Sequence, residues 1–437
     1  MQQASSETTS PLERRIDFSF PLQQVESEIE NRLKRIARTA KLPGFRPGKV
    51  PLKIVAQQYG GQVRQEVIGD SVQKTFSDAV RQQNLRIAGY PRIEAKDPMA
   101  STENLEFTAT FEIYPEVVVG DLSNTTIKRP VTEVSDTDVD HTIEILRKQR
   151  RHFHQTDRAA QNEDQVRIDF EGKIDGVVFN GGQAKDYQLV LGEGRFLPDF
   201  ETNVIGMKAG DSKLFELTFP ADYHGKELAG KTVTFEVKLN EVSAPHLPEL
   251  NAEFAKNLGI EDGDLASMRK EIKLNLEREA KKRVQGKVKE QAMQALIDHS
   301  TLTVPKSLVD IEIERLQQNM LKDMQSRGMG TKDMALPTEW FQAQAERRVR
   351  LGLILAEVVK QNSLHAKPEQ VRAMVEEHAQ SFEQPELMVR WYHEQPERLA
   401  EVEAVVLEDN VVTWTLDKAK AEDVATPFQE LMEGAAK

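Results

Sequence analysis

The hydrophobic period of this chain changes along its length, and a single core cannot satisfy every version of it. Ile16, Phe18 and Phe20 alternate with polar residues, the pattern of a half-buried strand. Val25, Ile29, Leu33 and Ile36 then recur at spacings of four, four and three, and Ile68, Val72, Phe76 and Val80 at steps of four. Both sets mark one face of an amphipathic helix. Leu105, Phe107, Ala109, Phe111 and Ile113 return to strict alternation, so residues 1–118 read as an α+β domain with strands at both ends and helices between. Residues 119–157 read as a linker, extended to Pro130, and a helix. Ser135 caps that helix, Asp136 and Asp138 occupy its first turn, and it ends near Arg151. Between 158 and 244, alternating runs at Val166–Phe170, Tyr187–Leu191, Phe215–Phe219 and Val233–Leu239 are separated by glycine-rich turns. One short helix is predicted there, near Phe200–Ile205. Beyond Pro245 glycine becomes scarce and helical spacing takes over. Leu265, Met268, Ile272 and Leu276 form one stripe, and Leu308, Ile311 and Leu316 another behind Pro305. Further helices are predicted over 338–363, 368–380 and 397–420. The chain reads as multidomain α+β: an α+β domain over 1–118, a joining segment over 119–157, a β-rich domain over 158–244 and an all-α region over 245–437.

Composition narrows the chemistry. There is no cysteine, which removes disulfides, thiol nucleophiles, cysteine–zinc sites and iron–sulfur ligation at once. The densest apolar run, Leu351–Ala356, is far too short to span a membrane, and Met1–Arg15 is polar. A cytoplasmic protein with no membrane partner is expected. The net charge is −13, yet Asn31–Lys53 holds eight basic residues and no acid, so the other 414 residues carry −21. This basic helix runs into a loop stiffened by proline and glycine, Gly44-Phe45-Arg46-Pro47-Gly48-Lys49-Val50-Pro51. A solvated helix face accounts for the charge; a patch aimed at an anionic partner such as RNA phosphate accounts for it equally.

Three motifs are set aside. Gly225-Lys226-Glu227-Leu228-Ala229-Gly230-Lys231-Thr232 matches a phosphate loop, but a working one opens a helix, and Thr232–Leu239 alternates as a strand. Gly192-Glu193-Gly194 has Leu197 where a dinucleotide loop needs its third glycine, and reads as a turn. His152 and His154 with Asp157 are the best metal candidates. Residues two apart do not share a helix face, and two histidines with one acid make a poor site. Solvated histidines at a helix end are the better reading, and no metal is expected.

Nine of the 27 aromatic residues fall within 158–244, and several flank turns: Phe179 before Asn180-Gly181-Gly182, Phe196 after Gly194-Arg195, Tyr223 beside His224-Gly225. Core filling explains aromatics in a small domain, and aromatics on loops around a sheet also build a concave apolar pocket. Residues 164–242 resemble the FKBP-type peptidyl-prolyl isomerase family. The resemblance rests on Val166-Arg167-Ile168-Asp169-Phe170-Glu171-Gly172, Gly176-Val177-Val178-Phe179, Gly192 to Glu201, Gly206-Met207-Lys208-Ala209-Gly210 and Phe219 to His224. It implies a proline pocket built by Phe170, Phe179, Tyr187, Phe196, Leu197, Phe200, Tyr223 and Phe235. It further implies that the Leu197 backbone N–H bonds the substrate carbonyl, with the Tyr223 hydroxyl as a second polar contact. No cofactor is implied, since the barrier to rotation, about 18–20 kcal/mol, is amide resonance and needs no nucleophile or metal to lower it. Asn180 stands where single-domain members usually carry aspartate, and Phe200 where many carry tryptophan; both departures bear on macrolide binding more than on catalysis. Phe200→Ala or Tyr223→Ala is expected to lower isomerisation and leave the fold intact.

The Gly44–Pro51 loop resembles the ribosome-docking signature of the bacterial trigger factor family, and Val304-Pro305-Lys306-Ser307-Leu308-Val309-Asp310-Ile311-Glu312 resembles its C-terminal helices. Domain order and length agree from end to end. This resemblance implies an ATP-independent chaperone at the exit tunnel of the large ribosomal subunit that holds nascent and unfolded polypeptides and isomerises X–Pro bonds. Gly44, Phe45, Arg46, Pro47, Gly48 and Lys49 are the implied contacts to rRNA and ribosomal protein. Residues 119–157 would complete the chaperone body formed by 245–437, and the free form would pair as a homodimer. No DNA partner is expected. Nine of the twelve methionines lie beyond Pro245, with Met320, Met324, Met329 and Met334 clustered most tightly. Flexible thioethers suit varied clients and fill helix interfaces equally well. Two alternatives stand beside this reading: an isomerase dedicated to folded clients, and a binding protein with a vestigial pocket.

Overall fold

The computed structural model describes residues 10–40, 43, 45, 50–96, 103–223, 225, 228–330, 334–380, 382 and 384–433. In chain order the elements begin with β1 (Glu13–Pro21), α1 (Leu22–Thr39), α2 (Leu52–Gln82), β2 (Ile87–Ala95) and β3 (Asn104–Ile113). The middle of the chain forms β4 (Val118–Val119), β5 (Thr126–Val131), α3 (Asp136–Gln149), β6 (His152–Gln155), β7 (Gln165–Ile174), β8 (Val177–Val190), α4 (Pro198–Val204), β9 (Ser212–Thr218) and β10 (Thr232–His246). The remainder forms α5 (Ala252–Asn257), α6 (Leu265–His299), β11 (Ser300–Thr301), α7 (Lys306–Ser326), α8 (Glu339–Asn362), α9 (Pro368–Ala379), α10 (Pro385–His393), α11 (Pro396–Lys418), β12 (Lys420–Ala425) and α12 (Phe428–Glu433). Packing divides the chain into two compact units, Met1–Arg129 with Gly286–Asp423 and Pro130–Gln285 with Val424–Lys437. Among the described residues no helix is long and apolar enough to cross a membrane.

In the first unit, β1, β3 and β2 form an antiparallel sheet in that order. Alternation puts Phe18, Phe20 and Phe107 on one face, where their rings stack at 5.4–5.8 Å and meet Val25, Val55 and Val67 of α1 and α2. A bulge interrupts the pairing of β2 with β3 between Ala88 and Arg92. Gly89 lies there at φ +75, and a side chain on it would meet the Ser307 Cβ at 2.7 Å. Ser307, in the first turn of α7, donates from its hydroxyl to the Ala88 carbonyl at 2.8 Å and from its N–H to the Glu112 carboxylate at 2.6 Å. The stripe on α7 is Val309, Ile313 and Leu316, packed with Phe341 and Ala345 of α8. Ile311, expected on that stripe, is exposed. The sequence offers apolar residues on two faces here, and only α8 decides which is buried. Periodicity also missed α10, whose nine residues are too few to establish a repeat and none of which is fully buried.

In the second unit, β6, β10, β7 and β8 form an antiparallel sheet in that order, with β9 also paired to β10. Val166, Ile168, Leu189, Val233, Val237 and Leu239 alternate inward onto Phe200 and Val204 of α4. Asp164, wholly buried, is held by two bonds from the Arg158 guanidinium (2.5 and 2.7 Å) and one from the Gln161 N–H. Ser135 caps α3 in a reciprocal box with Asp138, and Val139 and Ile143 pack on Phe254 of α5 and Met268 of α6. The helix ends at Gln149, and His152–Gln155 form an edge strand against the end of β10. The expected helix end carrying solvated histidines is therefore corrected to a strand, whose partner lies ninety residues further along the chain.

Candidate functional site

Four elements and one loop bring six aromatic residues of the second unit together. Phe170 comes from β7, Phe179 and Tyr187 from β8, Phe196 from the loop before α4, Phe200 from α4 and Phe235 from β10. Phe170 is the hub: its ring lies 5.9 Å from Tyr187, 5.5 Å from Phe196, 6.1 Å from Phe200 and 6.3 Å from Phe235. Phe196 and Phe200 approach to 4.7 Å, and Phe200 meets Phe235 edge-on at 5.3 Å. Most of these contacts are edge-to-face, the arrangement that ring quadrupoles favour. Phe179 reaches Phe235 at 6.2 Å and Phe219 at 6.3 Å, and Phe219 lies 4.7 Å from Tyr223. Gly172 makes room for this edge, since a Cβ there would come within 2.7 Å of both the Phe179 and Phe235 rings.

Burial grades across the cluster. Phe200 is 0% exposed and Phe235 5%, whereas Phe170, Phe179, Phe196, Leu197 and Tyr223 are half-buried and Tyr187 is 37% exposed. The result is an aromatic cluster with a buried inner layer, the floor, and a partly exposed outer layer, the rim. This qualifies one expectation: Phe200 is a core residue as well as floor, so its removal carries a stability cost. Truncating a buried phenylalanine costs about 3–5 kcal/mol.

The rim is tied down by a residue that sequence reasoning missed. Glu201, 6% exposed, accepts from the Gly192 N–H at 2.8 Å and the Phe196 N–H at 3.3 Å. Its carboxylate thereby holds both ends of the turn that presents Phe196 and Leu197. Leu197 caps α4 through its carbonyl, which accepts from Phe200 and Glu201. Among the described residues its own N–H carries no hydrogen bond. Phe215 and Phe219 were also missed as members; Phe215 packs 5.5 Å from Phe200 and Phe219 closes the Tyr223 side. Their strand alternation was legible, but not the face they share with Phe235. On the opposite margin, the Asp186 N–H donates to Asp169 at 2.8 Å and holds that carboxyl below its usual range. The side chain of Asn180 lies outside the described residues.

The other candidates are spread over the chain. Gly44, Arg46, Pro47, Gly48 and Lys49 lie outside the described residues; Phe45 is described and is 38% exposed. The basic helix is less free than its sequence suggests. Arg32 bonds Asp70 at 2.6 Å, which raises its pKa further, and Lys34 pairs with Glu30 at 2.7 Å. Arg35 and Arg38 are exposed. Met320 and Met324 lie on α7, Met329 and Met334 beyond it; all are exposed except the half-buried Met324. Thr232, which ends the phosphate-loop motif, begins β10, so no helix N-terminus follows it. Among the described residues no three His, Cys, Asp or Glu side chains converge to hold a metal.

Comparisons with known proteins agree along the whole chain. Residues 1–146 match the family model described as bacterial trigger factor protein, residues 156–240 that of FKBP-type peptidyl-prolyl cis-trans isomerase, and residues 264–417 that of the trigger factor C-terminus. The trigger factor of Aromatoleum aromaticum is 54% identical over 435 residues, covering 99% of this chain and 100% of its own. That of Nitrosospira multiformis is 56% identical over 431 residues, covering 98% and 99%. A solved structure, described as promiscuous substrate recognition in folding and assembly by the trigger factor chaperone, aligns over 95% of this chain and 100% of its own. Its TM-score is 0.45 at 17% identity.

Proposed function

The chain belongs to the bacterial trigger factor family, and on that footing we propose which residues carry its two activities. It is a ribosome-associated chaperone with an FKBP-type peptidyl-prolyl isomerase. Ribosome contact is assigned to residues 1–118, through Gly44, Phe45, Arg46, Pro47, Gly48 and Lys49 on rRNA and protein near the exit tunnel. Arg46 and Lys49 would meet phosphate, and the exposed Phe45 would bury itself on protein. Holding of nascent and unfolded polypeptides is assigned to residues 119–157 and 245–437, with Met320, Met324, Met329 and Met334 as adaptable contacts. The free form would pair with a second copy, and the place of work would be the cytoplasm.

Isomerisation is assigned to residues 158–244, and the observation that carries it is the aromatic cluster beside the Leu197 amide, which has no hydrogen bond among the described residues. Proline would meet the partly exposed Phe170, Phe179, Phe196 and Tyr187, which the buried Phe200 and Phe235 support from behind. A planar amide is more charge-separated than a twisted one, so apolar walls that exclude water disfavour the planar form. Shape and hydrogen bonds that fit only the twisted form lower the barrier further. The Leu197 N–H donates to the carbonyl beside the proline, and the Tyr223 hydroxyl is the second polar contact. No proton needs to move, so a cluster without acid–base groups is sufficient. The test is proline isomerisation in a short peptide with Phe196→Ala, a half-buried position whose loss spares the floor. The expected fall in kcat/KM is about tenfold or more, equivalent to about 1.4 kcal/mol. Unchanged turnover in a folded variant would remove the cluster assignment.

A further inference from the structure

Because His152–Gln155 form a strand, their histidines have a different geometry from that of a helix end. Residues two apart on a strand share a face, so His152 and His154 stand on one side of β6. β10 runs antiparallel with His246 opposite His152 and Ala244 opposite His154, which brings His246 to that same side. The rings of His154 and His246 lie 5.6 Å apart between centroids, inclined at 67°, and all three histidines are exposed. An ion about 2.0–2.1 Å from one nitrogen of each ring stands about 3.2 Å from each centroid, and a tetrahedral angle then sets the centroids about 5.2 Å apart. The observed spacing is within half an ångström of that separation, and rotation about the exposed side chains' own bonds would aim a nitrogen of each ring at a shared ion. The position matters as well. β6 leads from α3 into the isomerase sheet and the end of β10 leads out of it to α5, so this two-stranded ribbon carries both chain crossings.

We propose that His154 and His246 form a binding site for a transition-metal dication of the kind imidazole favours, such as Zn2+, Ni2+ or Cu2+. The bound ion clips together the two strands by which the isomerase domain is joined to α3 and α5. Water or an outside ligand completes the coordination, since no third side chain converges on the pair among the described residues. The ligands bind as neutral imidazoles, so protons compete with the metal.

The experiment is a Zn2+ titration of the tag-free full chain after chelation, read by calorimetry and by amide hydrogen exchange. One ion per chain is expected, weakening on acidification, with slowed exchange in β6 and the end of β10. His154→Gln and His246→Gln should each lower affinity by more than the roughly 10–100-fold that loss of an outer-shell partner costs. His365→Gln, on an exposed residue elsewhere, should bind as the parent does. Circular dichroism of the variants checks their folding. Absence of saturable binding, or parental affinity in both His154→Gln and His246→Gln, overturns the site.

Discussion

The Gly44–Pro51 loop, proposed for ribosome docking, and the aromatic cluster, proposed for proline binding, are opposite ways of encoding function. The loop is contiguous: eight successive residues, Gly44 to Pro51, supply its charge, its apolar tip and its stiffness. The cluster is assembled from positions between Phe170 and Phe235, and its floor is also the core of its domain. A contiguous motif can be lost without unfolding anything. The inner rings of a convergent site cannot be removed without a cost in stability, because Phe200 and Phe235 also hold the sheet to α4. The difference teaches that a site residue's cost of removal depends on how much of the core it shares, which no motif match reveals.

Replacing Phe45-Arg46-Pro47 by alanines should have the largest and cleanest effect. Ribosome co-sedimentation should fall to background while peptide isomerisation and melting temperature stay at parental values; retained sedimentation would move the contact elsewhere. Phe200→Ala should do the reverse. A loss of about 3–5 kcal/mol is expected for the second unit, seen as a lower melting transition, with ribosome binding intact. Equal loss of both activities would erase that contrast. Glu201→Ala sharpens it on a smaller scale. Two amides, of Gly192 and Phe196, lose their acceptor, at about 1–3 kcal/mol for a buried group left unpaired, and kcat/KM should fall with the Phe196 turn. Full activity at reduced stability would make Glu201 purely structural.

The smallest effect concerns pH in the first unit. Asp17 is held below its ordinary 3.8, first by its bond from Lys96 and then by that from the Thr108 hydroxyl. A depressed carboxyl contributes stability above its unfolded value and loses that contribution as pH falls through the lower folded value. The pair is partly exposed, so the contribution is at most about 1 kcal/mol. Parent and Asp17→Asn should therefore differ slightly in melting temperature at neutral pH and converge below pH 3.8. A gap that widens in acid would contradict the sign.

Much of the fold was legible because alternation and helical spacing are local. The runs at Val166–Phe170 and Val233–Leu239 became β7 and β10, and Ser135 with Asp138 closed the cap read from the sequence. What escaped had its cause far along the chain. Nothing near His152 announces a strand, because its partner is at His246. The eight-cation run reads as uncompensated until Asp70, on the next helix, comes to 2.6 Å from Arg32. Glu201 reads as an ordinary acid in a first helical turn until burial leaves it only the amides of Gly192 and Phe196.

The sequence by itself determined most of the elements, the order of the parts and the set of aromatic residues, since periodicity and contiguous motifs survive in one dimension. Only tertiary structure decided which rings are floor and which are rim, that Glu201 holds the rim, and that histidines ninety residues apart share a face. Those outcomes depend on strand register and burial, and both are fixed by many small contacts between segments the sequence keeps apart.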